Sequence, residues 1–174
     1  MPRIITALLY VTRLPQKMAD EDLKNLAKGF ARYAFDYIEA ARTVDDTIGR
    51  RPEHDFISPM PAYFLAMHGV ELSLKAFLMC QGMAPKQFGH NLRTLYETAQ
   101  KHGLFDVYKP RASDDEAIGL LVDLNADQGL RYMREGEKDF PSFGIVEPLA
   151  VRLHQAIAPV VGYERTFNVH FGDQ

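Results

Sequence analysis

An all-α fold is what the sequence predicts, and three observations predict it. Apolar residues recur at three- and four-residue spacing through most of the chain, prolines and several glycines stand where those stretches begin and end, and strand-like alternation is confined to the termini. A first helix runs from Asp20, which fits an N-cap, to about Ile48, with Leu23, Leu26, Phe30, Tyr33, Tyr37, Ala41, Val44 and Ile48 along one side. A second starts near Pro59 or Pro61, since proline is tolerated in a first turn, and ends at Gly82. The third, "HNLRTLYETAQKHG", closes at Gly103. The fourth opens at "SDDE", where Ser113 and Glu116 have the spacing of a capping box, and continues through Leu120, Leu121 and Leu124. A last helix spans about Val146 to Val161, accepting Pro148 in its first turn, with Pro159 set to kink or end it. At the ends, "RIITALLYV" and "TFNVHF" read as strands that pair as a short terminal β-ribbon, although the former serves equally as an extension of the first helix.

The chain of 174 residues suits one domain with a core over about 19–162 and terminal extensions 1–18 and 163–174. A hydrophobic fraction of 47% beside 25% charged residues is that of a soluble globular protein, and no apolar run reaches the roughly 20 residues of a membrane span. The opening "MPRIITALLYVTRLP" lacks a small-residue cleavage site, which argues against a signal peptide. Cys80 is the sole cysteine, so no internal disulfide forms, and a reducing, cytoplasmic setting is expected. A net charge of -3 gives no global attraction for nucleic acid, so such binding needs a local basic patch.

The second helix carries an anomaly. "HGVELSLKAFLMC" is almost wholly apolar or small yet holds Glu71 and Lys75. On a helical wheel Tyr63, Met67, Val70, Leu74, Phe77 and Leu78 form one face and Leu65, Leu72 and Met79 another. Ala62, Ala66, Gly69, Ser73, Ala76 and Cys80 form a small-residue stripe between them, which predicts the closest helix contact. His68, Glu71 and Lys75 share the remaining sector. One reading of this seam is an intrahelical ion pair, since glutamate four residues before lysine is the favoured order. The other is a cleft wall in which Glu71 fixes a basic group and Lys75 meets an anion. His68 and Glu71 alone make too few ligands for a metal, and none is expected. A helix with three occupied apolar sectors also predicts a homodimer, one sector being buried against a second copy.

"HGVELSLKAFLMCQG" followed by "GHNLRTLYETAQKHGL" resembles the central helix pair of the HEPN (higher eukaryotes and prokaryotes nucleotide-binding) superfamily, over roughly residues 60–104, with "GLRYMREGE" a weaker echo. The resemblance implies an up-and-down bundle of four to five helices, usually dimeric. It implies RNA or nucleotide binding, or partnership with a minimal nucleotidyltransferase, in a toxin-antitoxin or phage-defence setting, and in some members metal-independent RNA cleavage. Cleaving members place an arginine four to six residues from a histidine. Here Arg165 and His170 in "RTFNVH" have that spacing, the histidine to move a ribose hydroxyl proton and the arginine to stabilise phosphate charge. On a strand, however, residues five apart point to opposite faces, and the family's pair is helical.

Other basic candidates have two readings each. His90 is a cap or turn residue, or a proton-transfer or phosphate contact assisting catalysis. Arg93 faces solvent or phosphate. Arg131 and Arg134, with Tyr132 between them, suit a phosphate and a stacked base, but Glu135, Glu137, Lys138 and Asp139 follow at once and favour local ion pairing. A phosphate-cradling glycine loop, a G-x-S-x-G elbow and Cys/His metal spacing are all lacking, so neither cofactor nor metal is expected. The sequence leaves open a binding protein, a metal-independent ribonuclease and a structural interaction module without nucleic-acid binding.

Overall fold

The computed structural model describes residues 20–54, 57–126, 129–130, 140 and 142–167. Their regular elements are all helical: α1 (Asp20–Thr47), α2 (Met60–Cys80), α3 (Leu92–Lys101), the single turn α4 (Leu104–Val107), α5 (Ala112–Leu124) and α6 (Phe143–Ile157), with short 3₁₀ turns at Pro52–His54 and Pro85–Gln87. The helices form an all-α bundle with α2 at its centre, packed against α1, α6 and α3, while α5 bridges α3 and α6.

The small-residue stripe of α2 meets a matching one on α1. Ala27, Ala31, Ala34 and Ala41 are fully or almost fully buried, opposite Ala62, Ala66 and Ala76. A methyl group on Gly69 would fall 2.4 Å from Cγ1 of Ile38 and 3.2 Å from the carbonyl oxygen of Ala34, so the two helices approach as closely as glycine allows. Most of both large apolar faces is also covered within the chain, since Val70, Leu74 and Leu78 are inaccessible and Leu72 and Met79 are buried, while Leu65 is half-buried. By length and composition α2 could cross a membrane, contrary to the sequence reading, but 78% of its apolar window is buried inside this fold. Its all-round apolarity follows from having helices on every side.

Local signals explain most boundaries. Asp20, Glu21 and Asp22 place negative charge in the first turn of α1. Pro61 lies in the first turn of α2, and Gly82 follows its end at φ 85°, a left-handed conformation that favours glycine. The cap of α3 is Asn91, whose Oδ1 accepts the N–H of Thr94 at 2.9 Å, so His90 is left outside the helix.

Two starts differ from expectation. Helix α6 begins at Phe143, where Ser142 Oγ accepts the N–H of Gly144, so Pro148 sits in the second turn and removes the N–H that Gly144 would have received. Helix α5 begins at Ala112 rather than Ser113, because Asp114 reaches back to accept the N–H of Arg111 at 2.7 Å. The terminal β-ribbon falls mostly outside the described residues. Of "TFNVHF", Thr166 and Phe167 are described; they are not in a strand, and Phe167 stacks on Phe35 with ring centroids 4.6 Å apart.

Candidate functional site

Glu71 organises the charged seam of α2. Its side chain is 6% exposed, that of Lys75 9%, and Lys75 Nζ donates to Glu71 Oε1 at 2.6 Å. The pair is thus intrahelical, as one reading had it, but buried rather than superficial. Lys75 is mostly buried and directs its ammonium to Glu71.

The same Oε1 lies 3.0 Å from Nδ1 of His90, which arrives from the turn before α3. Nδ1 of His68 stands 3.7 Å from Oε2, beyond hydrogen-bond length, and lacks a hydrogen-bond partner among the described residues. The His68 ring is held by Tyr37, edge-on at 4.5 Å, and lies parallel to that of Phe64. Burial pushes the Glu71 carboxyl up, but His68, Lys75 and His90 outweigh it and hold the pKa at about 2. At 2.6 Å against 3.7 Å, Lys75 contributes more to that than His68 does.

An ionised carboxylate only accepts, which settles the His90 tautomer. Nδ1 carries the proton and donates it to Glu71, leaving Nε2 available. The His90 side chain is 87% exposed, so a buried anion orients an imidazole that faces outward.

His90 borders an open cleft of about 310 Å³. Met67 of α2 lies at one side, Asn91 and Leu92 at the start of α3 form a second, and Val122, Asp123, Asn125 and Ala126 at the end of α5 form the third. The volume is at the small end of the range for small-molecule sites. Oδ1 of Asn125 is buried with no hydrogen-bond partner among the described residues, whereas Asp123 is exposed.

The remaining candidates are placed elsewhere or lie beyond the described residues. Arg93 crosses to α5, where Nη1 bonds the Asp115 carboxylate and Nη2 the Asp115 carbonyl, passing Gly119 so closely that a methyl there would be 3.1 Å from Nη2. Arg165 lies against α1, 4.0 Å from Asp36 and with its guanidinium 5.2 Å from the centre of the Phe35 ring. Its proposed partner His170, together with Arg131, Tyr132 and Arg134, falls outside the described residues.

Two buried polar clusters escaped the sequence reading. Asp114, 2% exposed, accepts from the Tyr108 hydroxyl, the Arg111 N–H and, at 3.1 and 3.3 Å, the Arg152 guanidinium. Arg152 also donates to the Lys109 carbonyl at 2.7 Å and covers the Tyr108 ring, so this knot ties the loop before α5 to α6. Burial and the Asp114 carboxylate push the Tyr108 hydroxyl pKa well up. Asp114→Asn is expected to lower stability by about 2 kcal/mol, the scale of charged hydrogen bonds, whereas Asp115→Asn at an exposed pair should change little. Urea denaturation of the two variants measures the contrast.

The second cluster centres on His154, which is inaccessible to solvent. Ser73 Oγ donates to the Gly69 carbonyl at 2.9 Å, so the contact of 3.2 Å with His154 Nδ1 is one in which the imidazole donates. Nε2 then has no hydrogen-bond partner among the described residues, the ring packs among those of Phe35, Tyr163 and Phe167, and burial lowers its pKa to about 4. This histidine is a packing element. No group of metal-ligating side chains occurs among the described residues.

Set against known proteins, the chain matches no family model, no curated protein and no solved structure.

Proposed function

We propose that the protein binds a nucleotide, free or as part of an RNA strand, in the cleft between α2, α3 and α5, with His90 at its rim. The observation that carries this reading is the Glu71–His90 pair: a buried carboxylate fixes the tautomer of an exposed imidazole at the edge of a cleft of about 310 Å³. An imidazole so held can stack on a base or bond a ribose hydroxyl through Nε2. The resemblance of residues 60–104 to HEPN proteins, which include RNA- and nucleotide-binding members, supports the same class. Homodimerisation, a nucleotidyltransferase-type partner, a toxin-antitoxin or phage-defence setting and a cytoplasmic location belong to this proposal as expectations from that resemblance and from the lone cysteine.

Binding rather than catalysis is the activity favoured. The cleft supplies one oriented imidazole, and Arg165 is engaged on α1 with Asp36. Calorimetric titration with the four ribonucleoside monophosphates and a short single-stranded RNA at low salt tests the reading. His90→Ala is expected to weaken binding by about tenfold or more, a difference of about 1.4 kcal/mol, with a small loss of Tm because the buried Glu71 carboxylate loses one of its donors. Absence of binding by the wild type to every ligand in the set would refute it.

A further inference from the structure

We infer that a second copy of this chain packs antiparallel on the outer face of α1, about a two-fold axis between Tyr33 and Tyr37, an inference independent of the nucleotide reading above. Helix α1 carries two apolar seams. Leu23, Ala27, Ala31, Ala34, Ile38 and Ala41 are buried and include the alanines that meet α2. Leu26, Phe30, Tyr33, Tyr37, Ala40 and Val44 form the second seam, spaced 4, 3, 4, 3, 4, the repeat by which one helix packs along another. Tyr33 is 61% exposed and the other members of this seam are half-buried. The seam extends for about 27 Å along the helix. His68 of α2 continues the face, edge-on to Tyr37 at 4.5 Å, with the Phe64 ring parallel to its own.

Shape and charge on this face match a second copy of the same face. The two-fold sets each Tyr33 against the partner's Tyr37, Phe30 against the partner's Ala40 and Leu26 against the partner's Val44, so larger side chains meet smaller ones in the outer layers. Tyrosines at the centre suit an interface, since each offers a broad apolar ring and a hydroxyl that can stay wet. Arg32 and Asp36 are exposed on the flank of the seam away from α2. A cation four residues before a carboxylate is the less favourable order within one helix. Asp36 stands 4.0 Å from Arg165, the outer limit for an ion pair, and its side chain is 52% exposed. In the antiparallel arrangement each Arg32 comes within reach of the partner's Asp36, which gives two ion pairs related by the axis, whereas a parallel arrangement would bring like charges together.

Light scattering coupled to size-exclusion chromatography, on full-length protein at micromolar concentration, tests the inference. The wild type is expected at twice the chain mass of 19.8 kDa. Tyr33→Glu puts a charge at the centre of the seam and should weaken the dimer by at least about tenfold, with helical content by circular dichroism unchanged because the position is exposed. Arg32→Asp should also weaken it by about tenfold, and the double variant Arg32→Asp/Asp36→Arg should restore wild-type affinity, since the swap preserves both pairs across the axis. A wild type that stays monomeric would overturn the inference and leave the seam to the chain's own residues 1–19 or to another protein. A dimer indifferent to both Tyr33→Glu and Arg32→Asp would put the interface on another face, and a swap that fails to restore association would refute the antiparallel register.

Discussion

Glu71→Gln is expected to cost about 3 kcal/mol of stability at neutral pH, and its penalty should disappear in acid. The substitution mimics a protonated Glu71, so its cost equals the free energy that ionisation of this carboxyl contributes to the fold. A pKa held at about 2, against 4.5 for the ordinary side chain, corresponds to about 3 kcal/mol. That is close to the cost of removing one partner from other buried ion pairs, about 3–5 kcal/mol, with the hydrogen bond that glutamine retains placing it at the lower end. The sign follows from the depressed pKa. The folded state binds this proton less readily than the unfolded chain, so the stabilisation is complete above the ordinary carboxyl range and is lost as pH falls from about 4.5 toward 2.

His154 contributes an acid sensitivity of its own. Its folded pKa of about 4 lies below the ordinary 6.5, so stability from its buried neutral ring declines as pH falls between those values. Wild type and variant share that decline, and subtracting one unfolding curve from the other isolates Glu71. Denaturant titrations from pH 7 down to the acid limit of folding provide the test. A wild-type advantage that persists undiminished as the carboxyl range is crossed would show that the Glu71 charge is not what Lys75 and His90 respond to.

Gly69→Ala is the second large effect, expected to cost about 2–3 kcal/mol, within the range for overpacked cores. Alanine normally stabilises a helix interior by about 1 kcal/mol over glycine, so the direction itself is diagnostic. The added methyl meets Ile38 Cγ1 at 2.4 Å and the backbone carbonyl of Ala34 at 3.2 Å. Ile38 is almost inaccessible and β-branched, which restricts its escape by rotation. The helices must separate, and the contacts of Ala31, Ala34 and Ala66 weaken together. A Tm lower by roughly 5–10 °C is expected for a chain of this length, whereas Gly29→Ala on α1, where a methyl meets nothing within 4 Å, should raise Tm slightly. An increase at both positions would refute the close α1–α2 approach.

These two predictions depend on different depths of information. The stripe containing Gly69 is legible from sequence, because small residues at helical spacing define a face regardless of what packs on it. Which helix occupies that face, and that Ala27, Ala31 and Ala34 answer it, depends on the tertiary pairing. The seam of His68, Glu71 and Lys75 was equally visible, but its burial was not. A wheel shows that three polar residues share a sector, whereas exposure is decided by what covers that sector. Asp114 shows how a local reading fails: the Ser113/Glu116 spacing fits a capping box, yet Asp114 caps instead because Tyr108 and Arg152 hold it in place. Pro148 was expected in a first turn, and the Ser142 cap, two residues before Gly144, moved the start of α6 earlier.

Sequence by itself determined the all-helical class, the five long helices to within a few residues at most ends, the central role of α2 and the tight face it uses. Helix formation is governed by interactions over three to four residues, which the order of amino acids displays directly. Only the tertiary structure decided that Glu71 and Lys75 are buried, that His90 joins them across 19 positions of chain, and that the start of α3 and the end of α5 enclose a cleft. Those outcomes depend on how helices cross and at what separation, and the packing of many distant side chains sets both.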